Sequence, residues 1–154
     1  MPESGNTYKI VNHKNGTALD LSGSDGVSVT GWDSHDGDNQ KWTLNEEDGL
    51  WVIINVATGK FLAPEGGDEG NSVVGGEEPF QWDIRNEGDD EGLWRIFVPH
   101  SHLNLDLDSQ GEDDIPAGAR VQLWGQWAGD NQVWRLEDGM NDLIHHLPYS
   151  ELSK

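Results

Sequence analysis

Gly49-Leu50-Trp51 recurs as Gly92-Leu93-Trp94, its tryptophans 43 residues apart, and an equal step back from Trp51 lands on Tyr8, which opens Tyr8-Lys9-Ile10-Val11-Asn12. The register holds inside each copy. Twelve residues after the opening aromatic stand Asp20, Ala63 and Asp106, in Ala18-Leu19-Asp20-Leu21, Phe61-Leu62-Ala63-Pro64 and Asn104-Leu105-Asp106-Leu107. Each copy closes on a tryptophan: Trp42, Trp82 or Trp134. A self-similar unit of about 40 residues is one supersecondary element that cannot bury its apolar side alone and completes a core with its neighbours. Three such units in 154 residues predict a single domain, 1–154, with repeats at 6–48, 49–91 and 92–138 and a tail, 139–154, outside them.

The apolar runs are short and rich in β-branched and aromatic residues: Tyr8 to Val11, Val27 to Thr30, Trp51 to Val56, Trp94 to Val98 and Val121 to Trp124. Such side chains suit a pleated, half-buried surface, so these runs read as strands. Clusters of Gly, Asp, Asn and Ser separate them, and helical periodicity is almost absent before residue 139. The fold class is therefore all-β, and tandem threefold repetition in a chain of this size predicts a barrel around a threefold pseudo-axis. The third copy is the longest, its excess falling in an acidic loop from Ser109 to Ala119. In the tail, Met140 to Leu147 reads either as a helical turn or as a segment that packs against a partner.

Only 34% of the chain is hydrophobic, but eight tryptophans concentrate apolar area in a few large side chains. Trp42, Trp82 and Trp134 persist in every copy, so they read as core residues, as do Trp51 and Trp94. The formal net charge of −20 repels phosphate backbones and anionic membrane surfaces, which argues against nucleic acid as a partner. No cysteine is present to form a disulfide. Met1-Pro2-Glu3-Ser4-Gly5 lacks the basic start and apolar run of a signal peptide, and no stretch reaches membrane-spanning length, so a cytoplasmic location without membrane insertion is the expectation.

The chemistry lies in two segments aligned on their closing tryptophans. Trp32-Asp33-Ser34-His35-Asp36-Gly37-Asp38-Asn39-Gln40-Lys41-Trp42 and Trp124-Gly125-Gln126-Trp127-Ala128-Gly129-Asp130-Asn131-Gln132-Val133-Trp134 share Trp, Gly-Asp-Asn-Gln and Trp at identical offsets. Copy two reads Glu78-Pro79-Phe80-Gln81-Trp82, without the Asn, the Gln or the earlier Trp, and also carries Ala63 in place of Asp. These losses lie 16 residues apart, so one local change does not explain both, and the missing residues behave as members of one site. An acid, a dispensable aromatic and a carboxamide match a neutral sugar. A carboxylate accepts hydrogen bonds from vicinal hydroxyls, the carboxamide donates and accepts, and an aromatic face covers the C–H patch of a pyranose. No metal or other cofactor is required.

With Gln40-Lys41-Trp42 and Gln132-Val133-Trp134 as Gln-x-Trp signatures and an Asp early in each intact repeat, residues 6–138 resemble the ricin-B-type β-trefoil lectins, especially the small single-domain lectins of mushrooms. The resemblance implies a β-trefoil of twelve strands with up to three shallow sites that often prefer galactose or N-acetylgalactosamine. It also implies that Asp20 and Asp106 bind the sugar diol and that Asn39 and Asn131 support them. Trp124, in Gln122-Leu123-Trp124, matches the stacking aromatic. Trp32 takes that role in copy one by alignment, with His35 as its rival, and Trp127 is the counterpart rival in copy three. Gly23, Gln40, Gln122 and Gln132 complete the carbohydrate-binding set, with Gln40 and Gln132 bracing the loop rather than touching sugar. The expected partners are galactose-type glycans of glycoproteins or glycolipids, and a homodimer stays open.

Catalysis lacks support. There is no cysteine nucleophile and no Gly-x-Ser-x-Gly motif, and the adjacent acids Asp89-Asp90 and Asp113-Asp114 sit in glycine-rich loops with nothing to place them across a cleft. His100-Ser101-His102 and His145-His146 read as surface residues. Asp106-Leu107-Asp108-Ser109-Gln110-Gly111 begins like a calcium loop but has Ala117 where the bidentate Glu belongs. Two other classes compete with the lectin reading: a trefoil protease inhibitor that uses the Ser109 to Ala119 loop around Pro116, and a sugar-inert structural subunit docked through its tail.

Overall fold

A computed structural model describes residues 2–90 and 92–139. Twelve strands form in chain order: β1 (Thr7–Asn12), β2 (Ala18–Leu21), β3 (Val29–Trp32), β4 (Trp42–Glu47), β5 (Leu50–Asn55), β6 (Phe61–Pro64), β7 (Val73–Gly76), β8 (Gln81–Asn86), β9 (Leu93–Phe97), β10 (Leu103–Leu107), β11 (Ala119–Gly125) and β12 (Trp134–Asp138). Each repeat supplies four. The first and fourth strands of each close a barrel, because β1 pairs β12 and β4, β5 pairs β4 and β8, and β9 pairs β8 and β12, all antiparallel. Closure leaves the barrel without a free edge.

The second and third strands of each repeat make hairpins, β2–β3, β6–β7 and β10–β11, which meet around the pseudo-axis. β11 pairs β3 through Ala119 opposite Gly31, while single bridges join Ser28 to Val74 and Ser72 to Gln122. Every hairpin thus touches the next repeat. This all-β trefoil is the fold the repeat predicts.

The core is pinned by indoles. Trp42, Trp82 and Trp134 are fully buried, with Trp51 and Trp94 packed in the same cluster. Each closing tryptophan donates its Nε1–H to the carbonyl just before the repeat's Asp or Ala: Trp42 to Leu19 at 3.0 Å, Trp82 to Leu62 at 2.8 Å and Trp134 to Leu105 at 3.1 Å. The bond fixes the strand from which Asp20, Ala63 or Asp106 projects, so the core residue that survives in all three copies also positions the site residue that survives in two.

One strand starts later than its β-branched run suggests. Val27 stands outside β3 and is exposed, because the Asp25 carboxylate takes the backbone N–H groups of Val27 and Ser28 at 2.8 and 2.9 Å and holds them in a turn. The Ser28 hydroxyl, together with those two N–H donors, lowers the Asp25 pKa to about 2. Met140 to Leu147 lies outside the described residues.

Candidate functional site

Asp20 sits on β2 opposite Thr30, and Asp106 on β10 opposite Gln122. In each hairpin the exposed tryptophan stands at the far end of the third strand: Trp32 pairs with Ala18, and Trp124 with Asn104. Trp32 is 46% exposed and Trp124 42%, which is unusual for so apolar a side chain and unlike the buried tryptophans of the core. The equivalent pairing in copy two sets Gly76 against Phe61, so glycine occupies the aromatic's place, and Ala63 faces Val74. The middle hairpin has neither grip nor shelf.

Asp-Asn-Gln folds into a single 3-10 turn in each intact copy, Asp38–Gln40 and Asp130–Gln132, and these turns carry the carboxamides under the aspartates. Gln40 is fully buried. It donates from Nε2 to Asp20 Oδ2 and to the Asp33 carbonyl, both at 2.9 Å, and its Oε1 accepts the His35 N–H at 2.9 Å. Gln132 repeats this, donating to Asp106 Oδ2 and the Gly125 carbonyl at 2.9 Å while its Oε1 accepts the Trp127 N–H at 3.0 Å. With their polar atoms bound inside the protein, both glutamines act as braces. Gly129 permits the turn, since a Cβ there would stand 2.2 Å from the Trp127 ring.

The asparagines differ between copies. Asn39 donates from Nδ2 to the Leu21 carbonyl at 3.1 Å and lines an open cavity of about 460 Å3 with Asp20, Gly23, Trp32 and His35. Asn131 donates to the matching Leu107 carbonyl at 3.1 Å and also to Asp106 Oδ2 at 3.2 Å. In the third repeat the cavity, about 410 Å3, is lined by Asp106, Gln122, Trp124, Trp127 and Asn131, with Asp108 to Gly111 from the long loop as an added wall. The structure therefore brings every predicted residue of each copy to one place, with His35 and Trp127 on matching rims. His35 Nε2 lies 3.9 Å from Asp20 Oδ2, and its Nδ1 accepts the Gly37 N–H at 2.8 Å.

Burial also acts on the charge of Asp106. Burial raises the Asp106 pKa, and N–H donors from Gln132, Gln122 and Asn131 work against that rise by bonding the charged form. Gln122 Oε1 in turn accepts from Arg120 Nη2 at 2.7 Å.

Sequence reading missed the supports that come from neighbouring repeats. Glu69 accepts the Gly125 N–H at 2.8 Å, and Gly70 lies under the Trp124 ring. Gly118 lies under Trp32, so the long loop of repeat three forms part of the repeat-one cavity. That loop is tied down: Asn15 Nδ2 donates to the Ile115 carbonyl at 3.0 Å, Ile115 is buried in the core, and the Gly118 N–H reaches the Gly31 carbonyl at 2.7 Å. A buried cation, Arg95, was also missed. The signal for it is in the 43-residue register, which aligns Lys9, Val52 and Arg95. Among the described residues, no group of three or more His, Cys, Asp or Glu could hold a metal, and no helix is long and apolar enough to cross a membrane.

The fold is a β-trefoil with two polar hollows, each shelved by an exposed tryptophan. The chain matches the model of the family described as "Ricin-type beta-trefoil lectin domain-like" over residues 1–74 and 38–124, and it belongs to that family. Among solved structures it is similar to the Macrolepiota procera ricin B-like lectin in complex with lactose, with 40% identity, a TM-score of 0.83 and coverage of 89% of this chain and 98% of that one. The Rhizoctonia solani agglutinin is similar at 29% identity and a TM-score of 0.76, covering 90% and 98%. No curated protein matched the chain in a sequence comparison. Family and fold point to a carbohydrate-binding protein.

Proposed function

We propose that the protein is a lectin for galactose-type glycans, including N-acetylgalactosamine, with binding sites in repeats one and three. The observation that carries this reading is the pair of equivalent hollows in which a braced aspartate, an asparagine and an exposed tryptophan converge, set against a middle hairpin that has lost all three. Asp20 and Asp106 accept hydrogen bonds from adjacent hydroxyls, Asn39 and Asn131 add to the polar side, and Trp32 and Trp124 cover the ring's C–H face. The lactose held by the Macrolepiota procera lectin, a glycan ending in galactose, supports this sugar class. Each hollow is shallow and competes with the hydration of sugar hydroxyls, so single-site affinity is low. Two sites on one rigid body bridge glycans and gain strength through multivalency.

Calorimetric titration with lactose and with N-acetylgalactosamine tests the proposal. Two sites per chain are expected, with one lost in Asp20→Ala, the other in Asp106→Ala, and both in the double variant, which keeps its fold. Undiminished binding by the double variant would overturn the site assignment.

A further inference from the structure

Arg95 is the buried cation of the molecule's third repeat, and its two Nη atoms both reach the rim loop that runs from Trp127 to Gln132. On β9, with its side chain only 7% exposed, it is paired through Nε with the Glu87 carboxylate. Its Nη1 donates to Gln132 Oε1 at 2.9 Å, and its Nη2 donates to the Trp127 carbonyl at 2.8 Å. Gln132 Oε1 accepts the Trp127 N–H as well, so both backbone polar groups of Trp127 are held by a single Arg–Gln unit. The same glutamine donates to Asp106 Oδ2. One guanidinium is thereby linked to the acid and to the rim aromatic of the third-repeat hollow without itself lining it.

A buried arginine with one carboxylate partner is costly to desolvate, and hydrophobic residues of similar volume would stabilise a fold as well or better. What the charge adds is direction: five N–H donors in a rigid fork, matched here by a carboxylate, an amide oxygen and a backbone carbonyl. The internal register supports this. Lys9, aligned with Arg95, also reaches the rim loop of its own copy, donating from Nζ to Ser34 Oγ at 2.6 Å. Val52, aligned with both, belongs to the copy that has no grip. A basic residue at this position accompanies the binding constellation and is absent where the constellation is absent.

Resting on the lectin reading above, we propose that Arg95, neutralised by Glu87 from the end of β8, is a positioning residue for the third-repeat sugar site. It locks Gln132 and Trp127 in the bound geometry before ligand arrives. Repeat two, sugar-blind itself, thus contributes Glu87 to its neighbour's site. Pre-organisation of this kind raises affinity by removing the ordering cost from the binding step.

The test uses the full-length chain with one site silenced at a time. In an Asp20→Ala background, Arg95→Met should weaken lactose binding at the remaining site by at least about tenfold, the loss expected for one charge-assisted hydrogen bond. In an Asp106→Ala background the same substitution should leave the repeat-one site unchanged, which a general loss of stability would not do. Arg95→Lys, which keeps the charge and part of the donor set, should recover part of the affinity. If Arg95→Met does not fold, Glu87→Gln, which keeps the side-chain shape and removes the counter-charge, should also weaken the third-repeat site alone. Equal weakening of both sites, or wild-type affinity in the variant that folds, overturns the positioning role. Absence of lactose binding in the wild-type chain would instead defeat the lectin reading, and this inference with it, whereas silence of the Asp20→Ala parent alone would remove the third-repeat site and this inference only.

Discussion

Gln132 Nε2 lies 2.9 Å from Asp106 Oδ2, across 26 residues of sequence, and the bond joins a brace with no exposed surface to the carboxylate that faces the cavity. Removing the brace should therefore affect binding and folding together. Gln132→Leu, close in volume, strands the Gly125 carbonyl and the Trp127 N–H, takes the amide acceptor from Arg95 Nη1 and leaves Asp106 Oδ2 with the Asn131 donor alone. Leaving buried polar groups unpaired costs about 1–3 kcal/mol each, and neighbouring losses are not additive. A fall in the urea midpoint with third-repeat lactose binding lost is the expected outcome. Chemical denaturation and titration in the Asp20→Ala background check it.

Exposed and buried tryptophans should separate cleanly. Trp32→Ala and Trp124→Ala remove side chains that are half open to solvent, so stability should change little while sugar affinity drops at the altered site. Trp134→Ala opens a cavity in the core and breaks the bond to the Leu105 carbonyl, and it should cost about 3–5 kcal/mol. Thermal melts beside titrations read both effects in the same samples.

Trp51 provides a comparison within the core. Its Nε1–H is buried and, unlike that of Trp42, has no hydrogen-bond partner among the described residues. Trp→Phe removes similar volume at either site, but at position 42 it also strands the Leu19 carbonyl. Trp42→Phe should thus be more destabilising than Trp51→Phe by about 1–2 kcal/mol, as measured by urea unfolding.

Binding at the third-repeat site should be sensitive to acid. Burial raises the Asp106 pKa above its ordinary 3.8, so the carboxyl takes up its proton at a higher pH than a solvated aspartate. Protonation removes an acceptor for sugar hydroxyls, so affinity in the Asp20→Ala variant should decline as pH falls through the raised value. The sign for stability is opposite. Because the folded chain holds this proton more tightly than the unfolded one, the group's favourable contribution is complete below 3.8 and is lost as pH rises through the raised value. Titrations and melts across the acid range should move in opposite directions for this residue, and Asp106→Ala should abolish its part in both.

The core tryptophans, the two aspartates and the Asn-Gln pairs were legible because each is fixed by residues in its own repeat, and the chain contains three versions to compare. Ala63 and Gly76 mark the blind copy for the same reason. The start of β3 was not legible, since an Asx turn at Asp25 overrides the strand preference of Val27. Supports that cross from one repeat to another were also hidden. Glu69, Gly70 and Gly118 act on residues of another copy, and only closure around the pseudo-axis places them there, while Glu87 reaches Arg95 of the next copy across the β8–β9 hairpin.

Gly118 makes that crossing testable. It belongs to the long loop of repeat three, yet a Cβ built on it would stand 3.2 Å from the Trp32 ring in the repeat-one hollow, and its φ of +97° lies where side chains are rarely found. Gly118→Ala should therefore strain the loop by about 1–2 kcal/mol and push Trp32 from its resting position. Asp108 to Gly111, at the other end of the same loop, wall the third-repeat cavity and stand clear of the substitution. The expected result is weaker lactose binding in the Asp106→Ala background and unchanged binding in the Asp20→Ala background. The opposite pattern would mean that the loop serves only the repeat that encodes it.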